Sequence, residues 1–206
     1  ADSAAPVSGT GWPKRAMPVA SMLVFTVISA VIPLIRTPRF YLWDDTSAAA
    51  VGTWQRIATS VLSGQLPFLQ LDMWRGGNFA AEAATGMWNP VMVGLMVATY
   101  PIDNVAIAMA VARIALFMLA AGGVYLLARG YRAQPWVAAA VGFAYPMSAW
   151  ILYLDGTAWI NGTALTAVLP WAWWAVRRSF LADFRAGTVI AAVFLGSLAP
   201  STGNPY

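Results

Sequence analysis

The chain has 206 residues, of which 60% are hydrophobic and 10% are charged, and its formal net charge at pH 7 is +4. This composition excludes an ordinary soluble domain and is typical of a membrane protein with several spans. Cysteine and histidine are both absent, which excludes disulfides, cysteine nucleophiles and imidazole-dependent catalysis or metal binding. The basic residues are spread over the ends of hydrophobic segments, so we expect no nucleic-acid partner.

The chain begins with small and polar residues and then becomes strongly apolar. Residues 1–15 end in Lys14 and Arg15 and predict a disordered cytoplasmic tail. The apolar run 16–35 is long enough for a helix to cross about 30 Å of hydrocarbon. Four later apolar runs predict further spans, at 104–128, 136–154, 157–176 and 187–199. We therefore predict an all-α membrane protein of about five transmembrane helices, in which residues 16–206 form one module.

The basic residues also predict an orientation. If Lys14 and Arg15 are cytoplasmic, the arginines at 129, 132, 177, 178 and 185 are cytoplasmic too, provided that 88–101 does not cross the membrane. That segment is short and has proline near both ends, which favours a re-entrant or interfacial helix. Residues 37–103 then form a long external loop. The excess of arginine over lysine and the abundant alanine are typical of bacterial proteins from GC-rich genomes, so we expect a multi-pass protein of the bacterial plasma membrane.

Two interfacial helices are predicted within the external loop. Val51, Trp54, Ile57, Val61 and Leu62 recur at helical spacing and form one apolar stripe within 46–62. The segment 45–47, Asp-Thr-Ser, is suited to capping its first turn. A second short helix is predicted at 79–86.

The candidate functional residues are polar groups of this loop and of the spans beside it. A carboxylate can take the proton of an acceptor hydroxyl, and cationic or amide donors can hold a leaving phosphate. The candidates for catalysis are Asp44 and Asp45, and the candidates for substrate or donor binding are Trp74, Arg75, Asn78, Glu82, Asn89, Arg113 and Asp155. The sequence indicates no metal site and leaves a divalent cation open as a cofactor.

Structural roles are the alternatives for the same residues. Asp44 and Asp45 are also suited to capping the interfacial helix, and 74–78 to a glycine turn with a tryptophan anchor. Glu82 suits a solvated surface. A charge as deep in a span as Arg113 requires a partner, for which Asp103 and Asp155 are the candidates, or a bound lipid phosphate.

The order of several short motifs resembles the YfhO-like bacterial membrane proteins. These motifs are the acidic pair 44–45, the G-x-L-P turn at 64–67, the W-x-G-G-N segment at 74–78 and the N-P pair at 89–90, and the likeness covers residues 16–199. That group is similar in plan to the GT-C superfamily of lipid-dependent glycosyltransferases, including the actinobacterial arabinofuranosyltransferases. Such proteins have many more spans, so the resemblance implies that this chain is an N-terminal portion of the family plan.

The resemblance implies an inverting glycosyltransferase of cell-envelope glycan synthesis. A sugar would pass from a polyprenyl-phosphate donor to a glycan or lipid-linked acceptor at the external face of the membrane, with Asp44 or Asp45 as the general base. The alternatives are a polytopic transporter or lipid flippase and a non-catalytic membrane scaffold subunit. A transporter needs polar lining in both halves of the bilayer, whereas the carboxylates here gather on the predicted external side, which favours the enzyme.

Overall fold

A computed structural model describes residues 11–69 and 77–203. In these ranges the fold consists of helices joined by turns. The helices are α1 (Gly11–Arg36), α2 (Val51–Leu62), α3 (Pro90–Thr99), α4 (Val105–Gly130), α5 (Pro135–Ala144), α6 (Gly156–Ala158), α7 (Ile160–Leu181) and α8 (Ala186–Leu198). Wide π-helical turns at Thr46–Ala50 and Trp150–Asp155 lead into α2 and α6. No strand occurs in the described ranges, and the all-α prediction is confirmed.

Two of the described helices, α1 and α4, are long and apolar enough to cross a membrane. The prediction of a tail over residues 1–15 is wrong for its last five residues, since α1 begins at Gly11. Pro13 does not prevent this early start, because the first turn of a helix has no intrahelical acceptor for its N–H groups. Residues 1–10 lie outside the described residues.

Helix α4 is the centre of the bundle, and α7 runs parallel to it. The indole Nε1 of Trp171 donates to the carbonyl of Leu119 at 2.8 Å, and one helical turn or more further along, Gly130 of α4 lies beside Arg177 of α7. Helix α1 runs antiparallel to α4, because its residue Ala30 shares a core cluster with Ala110, whereas Met22 packs in the cluster of Ala121. The carboxyl ends of α4 and α7, which carry most of the arginines predicted to be cytoplasmic, therefore lie at one end of the bundle.

The predicted third span, 136–154, is not one continuous helix. Helix α5 ends at Ala144, and a turn precedes the π-helical segment Trp150–Asp155. Pro146 lies in this turn and favours the break, because its ring clashes with the carbonyl four residues earlier and it cannot donate a backbone hydrogen bond. The segments of the last two predicted spans form the helices α7 and the shorter α8.

The external loop of the prediction contains the π-helical turn, α2 and α3, which pack against α4. The predicted helix at 46–62 is confirmed as the turn Thr46–Ala50 followed by α2, which buries Trp54 and Ile57 but exposes Leu62. The second predicted helix, 79–86, is wrong: only one 3-10 turn, Ala83–Thr85, forms there. The Thr85 hydroxyl bonds to the carbonyls of Phe79 and Glu82 and so competes with helical pairing.

Candidate functional site

A cleft of about 400 Å³ opens at the end of the bundle opposite the arginine-rich end. Its walls are the π-helical turn with the start of α2, the 82–85 segment, and the short stretch from α6 into the first turn of α7. The lining includes two carboxylates, two indoles, a carboxamide and the backbone of a glycine: Asp45, Glu82, Trp54, Trp159, Asn161 and Gly203. The cleft thus combines acidic, hydrogen-bonding and aromatic groups in one space.

The two adjacent aspartates take different positions. Asp45 lines the cleft, and its Oδ2 accepts a hydrogen bond of 3.0 Å from Nε1 of Trp159. Asp44 adopts a left-handed backbone conformation with φ of 46°, is exposed, and does not contribute to the cleft lining. Asp45 is therefore the aspartate positioned to meet a molecule bound there.

The expected capping by the 45–47 segment is wrong. Asp45 occupies the N-cap position of the π-helical turn but forms no side-chain cap hydrogen bond. The Thr46 hydroxyl bonds elsewhere, and Ser47 Oγ donates to the carbonyl of Asp44 at 2.9 Å. A π-helical first turn changes the spacing of the backbone N–H groups that an α-helical cap would satisfy.

Among the predicted binding residues between Trp74 and Asn89 that the structure describes, Glu82 lines the cleft and Asn78 and Asn89 do not. Glu82 is exposed and lines the cleft with Asp45. The side-chain oxygen of Asn78 accepts from the backbone N–H of Ala81 at 3.2 Å, a local turn contact away from the cleft lining. Trp74 and Arg75 lie outside the described residues.

Asn89 is buried and has a structural role. Its Oδ1 accepts from the backbone N–H groups of Val91 and Met92 at 2.9 and 3.1 Å, which caps α3. Its Nδ2 donates to the carbonyl of Leu198 at 2.8 Å and to Ser201 Oγ at 3.2 Å. These bonds join the start of α3 to the end of α8 and occupy both polar atoms of the carboxamide.

Trp159 and Asn161 line the cleft but were not among the sequence candidates. Trp159 holds the carboxylate of Asp45, and Asn161 Nδ2 donates to the carbonyls of Ala84 and Gly203 at 2.6 and 3.2 Å. Asn161 therefore fastens three separate segments around the cleft. Both residues stand at the start of α7, where the first backbone N–H groups of the helix lack intrahelical partners and favour negative charge.

Arg113 lies below the cleft and is completely buried. It is eight residues into α4, or about 12 Å along the helix axis. Its Nε donates to the carbonyl of Gly156 at 2.7 Å, and its Nη2 donates to Thr46 Oγ1 at 2.8 Å. Its Nη1 has no hydrogen-bond partner among the described residues.

The carboxylate expected to pair with Arg113 acts on it without a hydrogen bond. Asp155 is 7% exposed, and its negative charge attracts the positive charge of Arg113 through the protein interior. The ring of Tyr41 packs nearby, and its hydroxyl donates to the carbonyl of Ala30 at 2.7 Å. The hydrogen bonds of Arg113 therefore go to a backbone carbonyl and a hydroxyl group.

Comparison of this chain with protein-family models, with curated proteins and with solved structures gave no match. The described residues contain no group of three carboxylates close enough to hold a metal ion. The chemistry of the cleft is therefore the main indication of function.

Proposed function

We propose that this chain is a membrane-embedded glycosyltransferase module whose cleft opens at the external face. The membrane part of the proposal is supported by the distribution of polarity. The side chains of Thr46, Asn89 and Arg113 are fully buried. Large apolar side chains cover the outside of the bundle with exposures of 50–76%, among them Phe25, Ile28, Ile32 and Ile35 of α1 and Ile190, Val193 and Phe194 of α8. A surface of this kind suits contact with lipid chains and is costly in water.

Five passes through the bilayer and a cytoplasmic N-terminus fit this arrangement. The passes would be α1, α4, α5 with the π-helical segment after it, α7 and α8. Arg177 stacks over the ring of Tyr131 at 4.3 Å, and Arg178 lies over Trp174 at 5.2 Å, at the end remote from the cleft. Arginine with aromatic rings at the cytoplasmic boundary agrees with the positive-inside rule. The acidic cleft would then face outward, in a bacterial plasma membrane.

The observation that carries the enzymatic proposal is the carboxylate of Asp45, which is held by an indole N–H at the wall of a cleft wide enough for a sugar. In the proposed reaction the acceptor hydroxyl loses its proton to Asp45 as its oxygen bonds to the anomeric carbon of the donor. The bond from that carbon to phosphate breaks on the opposite face, and polyprenyl phosphate leaves. A positioned carboxylate is the group that such a proton transfer needs. Glu82 and Asn161 supply further hydrogen-bonding groups for sugar hydroxyls.

The proposal is tested with the purified protein in liposomes that contain a panel of polyprenyl-phosphate sugars and a lipid-linked glycan acceptor. We expect transfer of radiolabelled sugar to the acceptor from at least one donor. Movement of the donor across the bilayer is measured in parallel. Donor movement without transfer would identify a flippase, and the absence of both activities would refute the enzymatic proposal in favour of a scaffold subunit.

A further inference from the structure

The guanidinium of Arg113 contacts both walls of the cleft from below. One wall is the π-helical turn, where Arg113 Nη2 reaches the hydroxyl of Thr46, the residue directly after Asp45. The other wall is the segment around α6, where Arg113 Nε reaches the carbonyl of Gly156, three residues before Trp159. One side chain from α4 therefore joins the two segments that carry the Asp45–Trp159 hydrogen bond.

Thr46 completes the connection between the walls. Its hydroxyl accepts from Arg113 Nη2 and donates to the carbonyl of Ala158 at 2.7 Å. Thr46 directly follows Asp45 in the sequence, and Ala158 directly precedes Trp159. Asp45 and Trp159 are the two residues that face each other in the cleft. A change in either bond would thus shift the backbone beside Asp45 or beside Trp159.

We infer that Arg113 is a positioning residue that fixes the separation of Asp45 and Trp159 across the cleft. The planar guanidinium donates in fixed directions, so two of its nitrogens can hold two backbone segments at a defined spacing, which a single ammonium group cannot do. Arg113 is fully buried and does not line the cleft, so this positioning role takes the place of the predicted role as a phosphate ligand. The positioning role rests on the proposed function only for the identity of the molecule that the cleft binds.

The burial of Arg113 supports a role in specifying geometry. A buried cation with one unpaired nitrogen is costly, and well-packed apolar residues often replace buried charged groups at little cost in stability. The two hydrogen bonds of Arg113 therefore fix the positions of the two walls and do not stabilise α4 itself.

The inference is tested by distance measurements between spin labels, without substrate. The chain has no cysteine, so cysteines at Ala48 and Leu154, which are both exposed, can be labelled specifically on the two walls. We expect one narrow distance distribution in the otherwise unchanged protein and its loss in Arg113→Gln. A control pair at the exposed residues Val111 of α4 and Leu169 of α7 reports on the bundle and should keep its distribution.

Two variants at Thr46 keep the test decisive if Arg113→Gln disturbs the whole bundle. Thr46→Val removes the hydroxyl at nearly constant shape and should also abolish the narrow wall-to-wall distance, whereas Thr46→Ser keeps the hydroxyl and should preserve that distance. An unchanged wall-to-wall distribution in Thr46→Val, or in Arg113→Gln with an intact control pair, would overturn the positioning role. Because no sugar or lipid donor is present, this result is independent of whether the chain transfers sugars.

Discussion

The contact between α4 and α7 permits a quantitative test at Gly123. A Cβ atom added to Gly123 would lie 2.7 Å from two atoms of the Trp171 indole and 3.0 Å from Cβ of Pro170. The indole cannot move away without loss of its 2.8 Å hydrogen bond to the carbonyl of Leu119. Gly123→Ala therefore forces either the two helices apart or the indole out of its position.

Three terms determine the change in the free energy of unfolding, of which two destabilise the protein and one stabilises it. Overpacking of a tight contact costs about 1–3 kcal/mol, and loss of the indole hydrogen bond costs about 1 kcal/mol. Alanine recovers up to about 1 kcal/mol through its higher helix propensity. The net expectation is a destabilisation of about 1–3 kcal/mol, which corresponds to a lower Tm by roughly 2–12 °C for a chain of this size.

The neighbouring glycine is the matched control. A Cβ at Gly122 would meet only the edge of Trp171, at 3.4 Å, which is an ordinary contact. Gly122→Ala should therefore leave the Tm unchanged or raise it slightly. Thermal unfolding of both variants in detergent is followed by circular dichroism. Equal Tm values for the two variants would refute the close packing of α4 against α7.

Two further predictions concern stability and topology. Asn89→Ala removes the cap of α3 and the bonds to α8, and should destabilise the protein by about 2 kcal/mol or more in chemical unfolding, whereas Asn89→Ser keeps a capping oxygen and should cost less. In intact cells, an impermeant thiol reagent should label a cysteine at Ala48 but not one at Ala186, and labelling of both would contradict the proposed topology.

The helices that the sequence predicted best are those determined by local properties. Residues 104–128 were predicted as a span and α4 runs from Val105 to Gly130, because length and apolar character are sufficient to identify such a helix. Asn104 accepts from the backbone N–H groups of Ala106 and Ile107 and gives α4 its cap. The break after α5 was not predicted, because Pro18, Pro33 and Pro170 lie within continuous helices and a proline alone does not mark the end of one.

The candidate site was less predictable because its bonds join distant parts of the chain. Asp45 and Trp159 are 114 residues apart, and neither residue alone indicates the other. The partner of Arg113 was predicted to be either a carboxylate or a lipid phosphate, since a buried charge usually requires an opposite charge. The break in helical structure around α6 instead leaves the carbonyl of Gly156 available, which only the tertiary structure reveals.

The central claim, that Asp45 is the reactive carboxylate of an external sugar-transfer cleft, is tested most directly by comparing Asp45→Asn with Asp44→Asn in the liposome transfer assay. We expect Asp45→Asn to lower kcat by about 100-fold or more, as for loss of a general base, without a large change in Tm. Asp44→Asn should retain most of the activity, because Asp44 lies outside the cleft lining. Full activity of Asp45→Asn, or equal losses in the two variants, would contradict the account.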